Sequence, residues 1–299
     1  MRRFRVTEHS MLPTLAPGAE VVASDARQAG IGELVVFEHP RREGFWLIKR
    51  RVEPPHELGP GQAWVASDNQ TEPTIDSSSL GPVPASSLLA VVSRLDEATF
   101  REACELLVAE DEDLASLLSQ HGIPEFWTRT AGFPTLVRVI LEQQVSLQSG
   151  AAAYRRLVDA VGEPSPESVD AMGTDAIRAA GITRQKAGYL IGLAGAIIEG
   201  RLDLDHISQL PPTEARAELM KIHGIGAWTA DVYLLVALGH TDVFPIGDRA
   251  LQVGASRALG LSTPPHPEEL EIMAEPWRPV RAVAARLLWH AYLREKAGN

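Results

Sequence analysis

The stretch Leu219–Met220–Lys221–Ile222–His223–Gly224–Ile225–Gly226–Ala227–Trp228–Thr229–Ala230–Asp231 decides how the chain is read. A helical run breaks into Gly-x-Gly and restarts as a helix. Glycines let the backbone turn tightly and approach a ligand closely. The restarted helix offers unpaired amides at its positive dipole end. Such a nest of N–H groups holds phosphate without basic side chains. Gly-x-Gly between helices also suits an ordinary helix–helix turn, so the surrounding sequence must arbitrate.

Twenty positions after Trp228 comes Asp248, inside Asp242–Val243–Phe244–Pro245–Ile246–Gly247–Asp248–Arg249–Ala250–Leu251–Gln252. A carboxylate that follows a Pro/Gly turn and heads an amphipathic helix reads first as an N-cap. Upstream lie Ile140–Leu141–Glu142–Gln143–Gln144–Val145–Ser146 and Gly181–Ile182–Thr183–Arg184–Gln185–Lys186–Ala187. Downstream lies Arg286–Leu287–Leu288–Trp289.

The 299 residues suffice for two domains. Up to about residue 95, short apolar runs (Glu20–Ala23, Glu33–Phe37, Phe45–Ile48, Ala63–Ala66, Leu88–Val92) alternate with Gly- and Pro-rich turns, which predicts strands. From Glu97 the period becomes helical. Leu106, Leu107, Leu114, Leu117 and Leu118 recur at helical spacing, and Phe133–Val145 reads as an amphipathic helix. Further helices are predicted at about 148–161, 174–180, 185–199, 213–221, 228–239, 248–258 and 279–296. The expected architecture is multidomain: a mostly-β domain over residues 1–95, then an all-α domain over 99–299.

Composition narrows the function classes. No apolar run reaches the roughly 18–20 residues of a membrane span. Met1–Arg2–Arg3–Phe4 lacks the hydrophobic core of a secretory signal, so a cytoplasmic protein without a membrane partner is expected. The lone Cys104 excludes a disulfide framework, a four-cysteine zinc site and a four-cysteine iron–sulfur cluster. No metal or cofactor is expected. Net charge is −11, with −3 in residues 1–98 and −8 in the remainder. Nucleic-acid binders usually carry a basic face, so one built here must be a local basic or amide-lined surface.

The helical segments, in this order and spacing, resemble the helix-hairpin-helix base-excision DNA glycosylases over residues 100–296. The branch acting on 3-methyladenine is the most similar. This resemblance implies double-stranded DNA with damaged bases as partner. It implies Asp248 as the carboxylate that stabilises positive charge on the sugar and orients or deprotonates water. It makes Gln144 the side chain that wedges into the gap left by a flipped base. Ile222, Gly224, Gly226 and Thr229 become the DNA-binding hairpin. Trp228 and Trp289 become the aromatic base pocket, suited to electron-poor alkylated purines. Strand-cutting relatives carry a lysine at the position of Trp228, so a monofunctional glycosylase that leaves an abasic site is expected. One member of the branch has a tyrosine four residues after the first tryptophan. Val232 stands there, which implies a plainer pocket. A core position for either tryptophan and a solvated surface position for Gln144 are the plain alternatives.

Residues 1–95 hold a second set of motifs. His9–Ser10–Met11–Leu12–Pro13–Thr14–Leu15 is followed by Ile48–Lys49–Arg50–Arg51–Val52, Ser67–Asp68–Asn69 and Ile75–Asp76–Ser77. In order, they resemble the boxes of S26 signal-peptidase-type serine peptidases. That resemblance implies Ser10 as nucleophile and Lys49 as its neutral base, with a peptide substrate. The departures are Ser67 for glycine, Ser78 for arginine, Glu8 where some members place a serine, and no anchor before Ser10. A degenerate peptidase domain serving as scaffold is the plain alternative. Two whole-chain readings result. One is a glycosylase with an accessory domain. The other is a soluble Ser–Lys maturation protease with a glycosylase-like binding module.

Overall fold

A computed structural model describes residues 1–71 and 73–298 of the chain. Among the described residues seven strands form one antiparallel sheet in the order β1-β2-β7-β3-β4-β5-β6. They are β1 (Arg2–Arg5), β2 (Glu20–Ser24), β3 (Leu34–Glu38), β4 (Trp46–Val52), β5 (Gln62–Ala66), β6 (Val83–Pro84) and β7 (Leu89–Val91). A short helix, α1 (Ser77–Leu80), follows β5. The predicted strands are all present within a few residues. Sequence reading missed β1, because three of its four residues are arginines. Its pairing with β2 supplies what its own composition does not.

One sheet face closes over Val35, Phe37, Leu47, Ala63, Val65 and Val83. On the other side, Val22, Val92 and Leu95 enter the core of the helical part. Further contacts tie the two parts together. The Met1 amine lies 3.2 Å from Glu102, and Arg3 lies 2.8 Å from Glu110. The Leu95 amide donates to the Gly239 carbonyl at 2.7 Å, and Arg94 donates to the Leu238 carbonyl at 3.0 Å.

Among the described residues twelve α-helices follow: α2 (Glu97–Glu110), α3 (Glu112–His121), α4 (Phe133–Glu142), α5 (Leu147–Val161), α6 (Pro166–Ala179), α7 (Arg184–Ile198), α8 (Leu204–Gln209), α9 (Pro212–Met220), α10 (Ala227–Val236), α11 (Arg249–Ala258), α12 (Pro267–Met273) and α13 (Arg281–Gly298). Every residue of α10 from Thr229 to Val236 is buried, so this helix runs through the middle of the bundle. Each fully buried leucine there contributes about 1.5–3 kcal/mol.

Three helix expectations need correction. The helix starting at Phe133 ends at Glu142 rather than Val145. The Lys186 ammonium takes the Leu141 and Gln143 carbonyls at 2.7 and 2.8 Å, and Gln144 turns to φ +54°. The helix predicted at 174–180 is the second half of α6, which bends at Gly173 with φ +71°. The helices α8 and α12, of six and seven residues, are too short to show a period in sequence.

Candidate active site

The hairpin joins α9 to α10 through Lys221–Gly226. Ile222 and Ile225 are buried and pin its loop to the core. Gly224 has φ +94°, and a Cβ there would stand 2.3 Å from Cγ of Tyr189. No side chain but hydrogen fits between the turn and that ring. Gly226 starts α10 without any side-chain cap. Among the described residues, the amides of Gly224 and Gly226 make no backbone hydrogen bond, so they are free to meet an anion. Ile222 differs, because its amide already bonds the Leu219 carbonyl at 3.1 Å. The Thr229 side chain is buried and turned inward.

What Thr229 meets is Gln143. The Gln143 amide nitrogen donates to the Thr229 hydroxyl and to the Gly224 carbonyl, both at 2.8 Å. The segment after α4 is thereby tied directly to the hairpin. Next to this anchor, Gln144 projects from a left-handed backbone position and is exposed, as are Val145 and Leu147. A non-glycine residue at positive φ is uncommon and marks a locally constrained turn.

Asp248 stands at the start of α11. Its Oδ1 accepts from the Leu251 amide at 3.0 Å, which is the N-cap bond expected from sequence. The same oxygen accepts from Trp289 Nε1 at 3.1 Å, and Oδ2 accepts from Trp228 Nε1 at 2.7 Å. The structure thus brings together Trp228 from α10, Asp248 from α11 and Trp289 from α13. Two indole edges clasp one carboxylate. All three donors are uncharged N–H groups, and no lysine or arginine among the described residues pairs with Asp248. A carboxylate held only by neutral donors in a half-buried setting acts strongly on any nearby positive charge.

None of the four lysines of the chain is available near this carboxylate. Lys186 holds two carbonyls, Lys221 pairs with Glu218 at 2.6 Å, Lys296 lies over Tyr292, and Lys49 belongs to the sheet.

In the sheet, the Lys49 side chain is 1% exposed and its Nζ donates to Ser10 Oγ at 2.8 Å. Burial pushes the Lys49 ammonium below the usual lysine range, against the opposing pull of Asp76, Glu8 and Asp68. The Ser10 loop is fixed from both sides. The Asn69 amide donates to the Ser10 carbonyl and its side chain to the His9 carbonyl, each at 3.0 Å. Asp68 is held by Arg50 through Nε and Nη2, at 2.7 and 2.5 Å.

Sequence reading overlooked three residues of the helical site. Gln143 was passed over for its neighbour Gln144, although an adjacent Gln-Gln pair after a helix offers two different outlooks. Tyr189, under the hairpin glycine, gave no signal beyond helical spacing. Trp127 sits in the loop between α3 and α4, outside every motif, and packs 6.1 Å from Trp289 between ring centroids.

Known proteins resemble the helical part of the chain. Residues 137–279 match the family model of the HhH-GPD superfamily base excision DNA repair proteins. DNA-3-methyladenine glycosylase 2 of Escherichia coli is 30% identical over 165 residues, covering 52% of this chain and 55% of the relative. The chain therefore spans about half the length of that protein. Among solved structures, a DNA-3-methyladenine glycosidase from Bacillus halodurans is 30% identical, with TM-score 0.57, covering 65% of this chain and 91% of the other. A Schizosaccharomyces pombe 3-methyladenine DNA glycosylase in complex with abasic DNA is 26% identical, with TM-score 0.58, covering 63% and 95%. The helical part of the chain thus carries an HhH-GPD domain of the base excision DNA repair type.

Proposed function

We propose that the chain is a monofunctional DNA glycosylase that hydrolyses the N-glycosidic bond of alkylated bases of the 3-methyladenine type in double-stranded DNA. The observation that carries this reading is the Asp248 carboxylate clasped by Trp228 and Trp289 beside the hairpin. Breaking the bond places positive charge on the sugar, and an oriented carboxylate stabilises it or takes a proton from attacking water. The Gly224 and Gly226 amides hold a backbone phosphate. Gln144, exposed on its constrained turn, fills the gap left by the extruded base. With Trp228 where a lysine nucleophile would stand, the product is an intact strand with an abasic site. The test is incubation with methylated duplex DNA, then heat or alkali to reveal abasic sites, with Asp248→Asn in parallel.

One observation favours a second activity in the sheet: the buried Lys49 bonded to Ser10. On this reading Ser10 Oγ attacks a peptide carbonyl while neutral Lys49 takes its proton and then passes it to the leaving amine. The domain would be an S26-type peptidase, with peptide substrate. Hydrolysis of unstructured polypeptide by the wild type, lost in both Ser10→Ala and Lys49→Ala, is its test.

A further inference from the structure

Trp127 is 41% exposed, yet its backbone and ring both meet Arg286. The side chain of Arg286 is 1% exposed, its Nη1 donates to the Trp127 carbonyl at 2.7 Å, and its guanidinium lies 4.9 Å from the Trp127 ring centroid. Nη2 takes the Leu235 carbonyl at 3.2 Å, while Nε has no partner. Burying a guanidinium with one donor unsatisfied costs free energy, and burial pushes its pKa down to about 10. The fold bears this cost and still leaves a large apolar ring in water. Trp127 also packs against Trp289, with ring planes tilted by 38°, and Trp289 donates to Asp248. The two indoles form one aromatic wall that leads from solvent to the carboxylate.

We propose that Trp127 contacts the extruded base, its exposed indole surface stacking on the alkylated purine, with Arg286 as the residue that positions it. The inference rests on the glycosylase reading and names a wall of that same site. An electron-rich indole held in place stacks on an electron-poor ring without reading hydrogen bonds. Base–aromatic stacking lost on truncation corresponds to about tenfold to hundredfold in rate or affinity.

The test compares Trp127→Phe, Trp127→Leu and Trp127→Ala with the wild type on duplexes carrying methylated purines. Single-turnover excision, binding to a duplex with a stable abasic analogue, and thermal melting are measured on the full chain. The expected result is near wild-type excision for the phenylalanine variant and a loss of about tenfold or more for leucine and alanine. Binding to the abasic duplex, which lacks the base, stays within about twofold. Leucine matching phenylalanine would overturn the proposal, because bulk and not a π face would then suffice. A loss of abasic-duplex binding or of melting temperature equal to the loss of excision would also overturn it, as a purely structural role. Failure of the wild type itself to excise any alkylated base refutes the glycosylase reading instead, and the wild-type arm shows this separately.

Discussion

Trp228 Nε1 donates a 2.7 Å hydrogen bond to Asp248 Oδ2 across the twenty residues that separate the hairpin from the next helix. The indole thus fixes the orientation of the carboxylate. Trp228→Phe keeps a ring and removes the donor. A hydrogen bond to a charged acceptor contributes about 1.5–3 kcal/mol, so excision should fall by roughly tenfold to a hundredfold. Trp289→Phe, which removes the longer bond at 3.1 Å, should cost less. Single-turnover rates on methylated duplex check both. Equal, wild-type rates in the two variants would show that the carboxylate needs no clasp.

Asp248→Asn should lower excision by several powers of ten while affinity for duplex DNA stays near wild type. The N-cap bond survives in the variant, since asparagine caps as well as aspartate. Borohydride treatment during turnover should trap no covalent complex, and a trapped adduct would contradict the monofunctional reading.

The two hairpin glycines should behave differently. Gly224→Ala puts a methyl into the Tyr189 ring at positive φ, so both melting temperature and DNA binding should drop. At Gly226 φ is −90° and a methyl meets nothing within 4 Å, so alanine there should leave stability unchanged. Amide-dominated docking also predicts a shallow salt dependence. A slope corresponding to about eight or more neutralised phosphates would argue for a basic face instead.

Removing residues 1–95 should destabilise what remains. Val22, Val92 and Leu95 pack into the helical core, and Glu102 and Glu110 lose their partners. The expected outcome is a lower melting temperature and aggregation of the truncated chain, checked by thermal melts and size-exclusion chromatography. A truncated protein as stable and as active as the whole chain would show that the sheet is only appended.

Lys49 gives the sheet a pH signature. Its native pKa lies below the ordinary lysine value because of burial. Between the two values the unfolded chain binds more protons than the native one, so stability rises with pH across that window. Lys49→Met should flatten this slope in alkaline melts. If the dyad is a working peptidase, hydrolysis rises with pH through the same native pKa. A slope unchanged by the substitution would mean that Lys49 keeps its ordinary pKa.

Much of this molecule was legible in one dimension. The change from period two to helical period near residue 96, the glycines of the hairpin and the N-cap at Asp248 are local, because backbone sterics and i to i+3 hydrogen bonds act over a few residues. The pairing of Ser10 with Lys49 and the separate roles of Asp248, Trp228 and Trp289 entered through resemblance, whereas the bonding of both indoles to the carboxylate appears only in the folded chain. Other features arise only when distant segments meet. Gln143 rather than Gln144 grips the hairpin because α4 ends at Glu142, where Lys186 from another helix takes the free carbonyls. Trp127 becomes part of the aromatic wall because Arg286, 159 residues away, is buried beneath it. The sheet joins the helical core through Val22, Val92 and Leu95, whose hydrophobicity foretold burial but not against what. Hydrophobic burial is non-directional, so sequence marks which residues leave water while only the folded chain decides which neighbours they meet.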